Sequence, residues 1–120
     1  MSKKVVVIST SLRTNSNSEA LAKEFVKGAE VAGHEVEYIS LKGKRIAFCI
    51  GCLACQSKGH CIFNDDALPI TEAVLNADVV VWATPIYYYE MAGQMKVLID
   101  RMNSMFPKDY KFREVYFLAT

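Results

Sequence analysis

The sequence predicts an α/β fold, a parallel sheet wound on both faces by helices. Two runs of almost unbroken β-branched residues, Lys4 to Thr10 (KVVVIST) and Asp78 to Thr84 (DVVVWAT), have the pattern of strands buried on both sides. Segments of helical period separate the strands. Most connections are only a few residues long, which leaves the helices as crossovers between parallel strands.

Each element has its own signal. After the first strand, Leu21, Phe25 and Ala29 recur at helical spacing with Ala22 and Val26, and Gly33 stands where a C-terminal cap belongs. Ser16 and Glu19 have the S-x-x-E spacing of a capping box, so this helix is expected to begin near Asn17. Glu35 to Leu41 (EVEYISL) alternates in part and reads as a less buried strand. The cysteine stretch that follows reads as a loop. Ala67 to Leu75 (ALPITEAVL) is predicted helical, with Asp65 or Asp66 near its cap and Pro69 in its first turn. Met91, Met95, Leu98, Ile99 and Met102 then place a helical stripe in EMAGQMKVLIDRMNSM, and Val115 to Thr120 (VYFLAT) forms a last strand. Such a strand would leave a long apolar edge. The expectation is therefore one domain, residues 1–120, truncated after the fourth strand and lacking a βα unit.

Composition narrows the function classes. With 52% hydrophobic and 22% charged residues, the 120-residue chain has enough apolar surface for a core, which excludes a disordered chain. A net charge of +1 gives no basic stripe for nucleic acid. The run VVVI after MSKK is too short for a signal peptide, and ADVVVWATPIYYY, interrupted by Asp78 and Pro85, is too short to span a bilayer. A cytoplasmic protein with no membrane partner is expected, and its thiols stay reduced.

Three loops carry the chemistry. In open α/β sheets ligands sit beyond the carboxyl ends of the strands. The loop after the first strand, Ser9 to Ser18 (STSLRTNSNS), is rich in hydroxyls and side-chain amides, with one positive charge at Arg13. It is neither a dinucleotide fingerprint nor a P-loop. Packed against a helix N-terminus, such donors suit a phosphate monoester, although the same residues also cap plain turns. The second loop, Thr84 to Gln94 (TPIYYYEMAGQ), carries three consecutive tyrosines. They suit a flat aromatic ligand or a subunit contact, or else cover the core. The third holds Cys49, Cys52, Cys55 and Cys61, spaced C-x2-C-x2-C-x5-C. A second C-x2-C knuckle at a distance, usual for zinc, is missing. The compact run suits a [4Fe–4S] cluster, and free thiols packed as small hydrophobes remain the alternative. Gly51 and Gly59 allow tight turns under either.

These stretches resemble a known family. ISTSLRTNSNSEALA is similar to the phosphate-binding segment of the NAD(P)H-dependent FMN reductase family, within the flavodoxin-like superfamily. ATPIYYYEMAGQMKVLIDR resembles that family's second flavin loop and the helix after it, and the cysteine stretch with its trailing Asn-Asp-Asp resembles the branch that includes the iron–sulfur flavoproteins. The resemblance implies a flavodoxin-like fold with strand order 2-1-3-4-5 and FMN at the carboxyl edge. It further implies NAD(P)H as co-substrate and a small acceptor such as a quinone, a nitro or azo compound, or free flavin. Ser9, Ser11, Arg13, Ser16, Asn17 and Ser18 would hold the FMN phosphate, and Pro85, Ile86, Tyr87 and Tyr88 would line the isoalloxazine ring.

Under that resemblance no protein acid, base or nucleophile is needed, because the flavin carries the redox chemistry. Tyr87, Tyr88 and Tyr89 would shape the nicotinamide slot, His34 and His60 read as surface residues, and a homodimer is implied. Two departures stand out. Thr10-Ser11-Leu12-Arg13 replaces the family's common Gly-Ser-Pro-Arg, so Thr10 is expected to restrict the turn. The family's third flavin loop follows the fourth strand, where this sequence stops. Two other functions stay open: an iron–sulfur flavoprotein electron carrier with a [4Fe–4S] cluster on the four cysteines, and a non-catalytic flavodoxin-like module.

Overall fold

The computed structural model describes residues 2–120. Along the chain run β1 (Lys4–Ser9), α1 (Asn17–Val31), β2 (Glu35–Ser40), α2 (Ala54–Lys58), α3 (Ala67–Leu75) and β3 (Val79–Thr84). A short hairpin follows, β4 (Ile86–Tyr87) and β5 (Glu90–Met91), then α4 (Gly93–Arg101), a 3-10 turn (Met102–Met105) and β6 (Glu114–Ala119). The main sheet has four strands in the order β2-β1-β3-β6, every neighbouring pair parallel. With the hairpin strands left out of the count, these are the first four places of the order expected for a flavodoxin-like sheet.

Alternation along β1 and β3 builds two cores. Val5 and Val7, with Val79, Val81 and Ala83, face α1 and meet Ala22, Phe25 and Val26. Val6, Ile8, Val80 and Trp82 point to the opposite face, against Ile70 and Val74 of α3 and Met95 and Leu98 of α4. Both strands are therefore covered on two sides, as their unbroken apolar runs require. Burying each such side chain stabilises the fold by about 1.5–3 kcal/mol.

The start of α1 depends on Ser16, whose Oγ accepts the Glu19 N–H at 3.1 Å. The return bond of the expected capping box is shifted by one residue, because Glu19 Oε1 accepts from the Asn15 N–H at 3.2 Å. Near α3, Asp65 Oδ1 accepts the Ala67 N–H at 3.1 Å, while Asp66 occupies the cap position without a side-chain bond.

Three expectations need correction. The cysteine stretch is not wholly loop, since α2 lies inside it. The methionine-rich helix begins at Gly93, so Met91 belongs to a hairpin strand. Thr10 does not strain its turn: among the described residues the non-glycine positions with positive φ are Asn15, Leu53, Tyr88 and Tyr89. Strand β6 is half exposed along its length, as an edge strand is. Among the described residues no helix is long and apolar enough to cross a membrane.

Leu98 is fully buried under the sheet. Leu98→Ala is expected to lower unfolding stability by about 2–5 kcal/mol, read from urea denaturation, through lost transfer energy and a cavity.

Candidate functional site

Parallel pairing of β1 with β3, with Ser9 opposite Ala83, brings the loops after both strands to one edge of the sheet. Thr10 locks them together. Its N–H and its hydroxyl both donate to the Ala83 carbonyl, at 2.9 and 2.8 Å. Gln94, at the start of α4, donates its Nε2 to the Thr10 carbonyl at 2.8 Å. Thr84 closes the second loop on itself, accepting the Ala92 N–H at 3.0 Å and donating to the Pro85 carbonyl at 2.8 Å.

Between the loops lies a cavity of about 240 Å³ lined by Ser11, Arg13, Ser16, Asn17, Ser18, Pro85, Ile86, Tyr87 and Thr120. Ser11, Ser16 and Ser18 are buried there, while Arg13 and Asn17 reach solvent. First-turn N–H groups lie outside the intrahelical ladder, so those of Asn17 and Ser18 are free to bind an anion at the positive end of α1. The carboxylate of Glu19, next in the first turn, is matched. Its bond to Lys42, at 2.6 Å, is the main cause holding its carboxyl below the usual range. Hydroxyls, helix N–H groups and one arginine form a donor set that suits a phosphate monoester.

Two residues expected at this site lie elsewhere. Ser9 ends β1 fully buried, and its Oγ has no hydrogen-bond partner. Tyr88 stands at the tip of the β4–β5 hairpin, outside the cavity wall. Thr120 was not expected. Its carbonyl accepts the Ile86 N–H at 2.7 Å, and its place just past β6 at the same carboxyl edge is the signal that could have found it.

The tyrosines do not cover the core. Tyr87 pairs with Glu90 across the hairpin, leaving Tyr88 and Tyr89 as a two-residue turn with φ of +48° and +66°. Positive φ at both positions defines a type I′ turn, which favours Asn-Gly and disfavours bulky side chains. Both rings are 93% exposed, with centroids 5.6 Å apart. The chain thus holds two aromatic rings in solvent beside the cavity, on a backbone that tyrosine adopts at a cost.

The third loop folds the cysteines onto one wall. Left-handed backbone at Gly51 (+69°), Leu53 (+60°) and Gly59 (+81°) turns the segment back on itself. As a result Cys49, Cys52, Cys55 and Cys61 all line one small cavity of about 20 Å³, with Cys49 and Cys52 exposed at the surface. All four are free thiols. Cys49 Sγ accepts the Gly51 N–H at 3.4 Å, and Cys61 Sγ accepts the Phe63 N–H at 3.5 Å. Backbone N–H bonds to sulfur are the kind that stabilise thiolate ligands. Among the described residues no three His, Cys, Asp or Glu side chains converge as a single ion would require.

Arg101 secures the base of this loop from the end of α4. Its Nη1 donates to the Ala47 carbonyl at 2.9 Å and to Asp65 Oδ2 at 2.7 Å, and its Nη2 to Asp65 Oδ1 at 2.9 Å. Burial opposes ionisation of Asp65, but bonds from Arg101 and from the Ala47 and Ala67 N–H groups outweigh it and hold the carboxyl below its usual range. The pair is not marked in the sequence, where Asp65 reads only as a candidate cap and Arg101 only as the end of the stretch that resembles the family's second flavin loop and its helix.

Residues 3–120 match the NADPH-dependent FMN reductase family. The chain belongs to that family. Within it, the chain is 37% identical over 99 residues to an iron–sulfur flavoprotein of Archaeoglobus fulgidus, an alignment covering 82% of this chain and 45% of the relative. It is 36% identical over 98 residues to one of Methanocaldococcus jannaschii, covering 82% of this chain and 51% of that one. The chain spans about half the length of these curated relatives. Among solved structures it is similar to an NAD(P)H:quinone oxidoreductase from Methanothermobacter marburgensis, with a TM-score of 0.80 at 16% identity over 99% of this chain and 65% of that one. At that identity the likeness is one of fold, and it identifies the sheet of this FMN reductase family member as flavodoxin-like.

Two measurements test the geometry. Replacing the turn by Tyr88→Asn with Tyr89→Gly is expected to raise unfolding stability by about 1–2 kcal/mol in chemical denaturation, by relieving left-handed backbone. Asp65 has a folded-state pKa below its unfolded one, so its contribution is complete above the unfolded value of about 3.9 and is lost as pH falls through the folded value. Thermal unfolding followed down the acid limb is expected to show a shallower loss in Asp65→Asn, from a lower starting stability.

Proposed function

We propose that the chain is the flavin-holding part of an FMN-dependent oxidoreductase, and that its four cysteines carry a [4Fe–4S] cluster as electron partner to the flavin. The observation that carries the first half is the hydroxyl-lined cavity at the N-terminus of α1, formed by the two loops that β1 and β3 bring together. Ser11, Ser16, Asn17 and Ser18 would donate to the FMN phosphate, and Arg13 would pair with its charge. Pro85, Ile86 and Tyr87 would flank the ring system and exclude water from that side. When bound, FMN supplies hydride and single-electron chemistry that no side chain here provides. The role of the protein is to bind the anion, orient the ring and shield it.

The second half is supported by the single cavity that all four thiols share, by the N–H bonds to Cys49 and Cys61, and by relatives that are themselves iron–sulfur flavoproteins. A cluster held this way belongs in a reducing compartment, which supports a cytoplasmic protein. Exposed Phe48, Ile50 and Leu53 around the cysteine loop support a homodimer as the working assembly. A second function, reduction of a small quinone, nitro or azo acceptor or free flavin by NAD(P)H without a cluster, is favoured by the exposed tyrosine tip, whose faces suit a planar ring.

Protein purified without oxygen is expected to carry FMN together with about four iron and four sulfide per chain. Cys52→Ser is expected to lose the iron and keep the flavin. Arg13→Ala is expected to weaken FMN binding about tenfold or more, in line with one charge-assisted bond. Flavin without iron, bleached by NADH or NADPH, would establish the cluster-free reductase instead. Colourless protein that takes up no added FMN would overturn both.

A further inference from the structure

We propose that Arg101 is a positioning residue that balances the negative charge of the cysteine cavity and raises the reduction potential of the group held there. This rests on the cluster assignment above and goes beyond it.

Arg101 is 3% exposed and lines the cavity that the four cysteines share. Its guanidinium lies over the Phe63 ring at 5.2 Å, and its Nη2 also donates to the Phe63 carbonyl at 3.3 Å. With the bond to Ala47, it therefore grips the chain on both sides of the cysteine run. Asp65 is its one salt-bridge partner among the described residues. One nitrogen is left over: Arg101 Nε is buried with no hydrogen-bond partner. A buried donor without an acceptor is rare in a folded chain and points to a missing partner. The cavity wall beside it offers sulfur.

Electrostatics gives the sign. Four thiolates and a cluster carry net negative charge, and adding one electron adds another unit. In this partly buried site a fixed cation stabilises the more negative state, and a fixed carboxylate destabilises it. Arg101 and Asp65 thus act in opposite senses on the same potential, although they form one structural clamp. A residue that only clamps would not separate them.

The test is an anaerobic dithionite titration of the full chain, with the cluster potential read by electron paramagnetic resonance, in wild type, Arg101→Gln and Asp65→Asn. Arg101→Gln is expected to make reduction harder by about tenfold in equilibrium constant, a fall of about 59 mV for a one-electron couple. Asp65→Asn is expected to shift it the other way. Should Arg101→Gln fail to fold, a rise in Asp65→Asn supports the proposal, and an unchanged or lowered potential overturns it. Equal potentials in all three proteins, or shifts in the same direction, overturn the role of Arg101 and leave the cluster standing. Wild-type protein without iron or sulfide overturns the cluster assignment and the role of Arg101 with it.

Discussion

Parallel pairing of β1 with β3 is the constraint on which the rest of this structure depends. Two strands that run the same way must both end at the same edge, so the loops after Ser9 and Thr84 face each other. Burial on both sides fixes the register, because a slip of one residue would exchange the faces of Val5, Val6, Val7 and Ile8. Thr10 then converts strand register into loop register by bonding twice to Ala83, and Gln94 ties α4 to the same point. Core packing and site geometry are thus one arrangement.

The two candidate sites solve opposite electrostatic problems. The hydroxyl-rich loop presents donors and partial positive charge, so the carboxylate of Glu19, next in the first turn, has to be neutralised; Lys42 does this from the turn after β2. Glu19 is kept because it also holds the Asn15 N–H and so shapes the loop. The cysteine loop has the reverse need. Four thiols line a partly exposed wall, and the buried cation there is Arg101, already paired with Asp65. A buried ion pair adds little net stability on its own account. Its value here is geometric, since bidentate bonding and the Ala47 and Phe63 carbonyls hold the two ends of a long connection at fixed positions.

Much of the fold was legible in the sequence because burial on both faces leaves an unmistakable apolar run, and because Ser16 and Glu19 mark a helix start by local chemistry. The polar loop was legible as a place, since hydroxyls that follow a buried strand and precede a helix fall at the carboxyl edge of the sheet, where Ser11, Ser16 and Ser18 line the cavity. Helix α2 was hidden, since its start needs Leu53 in a left-handed conformation that no propensity for leucine would suggest. The hairpin was hidden because its turn carries Tyr88-Tyr89 where Asn-Gly would announce it. Ser9 misled because a hydroxyl at the end of a strand reads like the hydroxyls just beyond it, while its register turns it inward. Arg101 could not be read at all. A buried arginine is defined by its partners, and Asp65, Ala47 and Phe63 are brought to it only by the tertiary fold.

Backbone strain marks the same three loops independently. The non-glycine residues with positive φ among the described residues are Asn15 in the first loop, Leu53 in the cysteine loop, and Tyr88 and Tyr89 in the second. None lies in a connection at the amino edge, where Gly33 serves the one left-handed turn. Asparagine adopts this conformation readily, but leucine and tyrosine do so at a cost of about 1 kcal/mol each. Nothing in the packing requires those side chains, since Leu53 is 54% exposed and each tyrosine 93%. Glycine or asparagine would serve the backbone better at all three positions. What the unfavourable residues add is apolar and aromatic surface held outward beside the two cavities, which a residue chosen for the backbone alone would not supply.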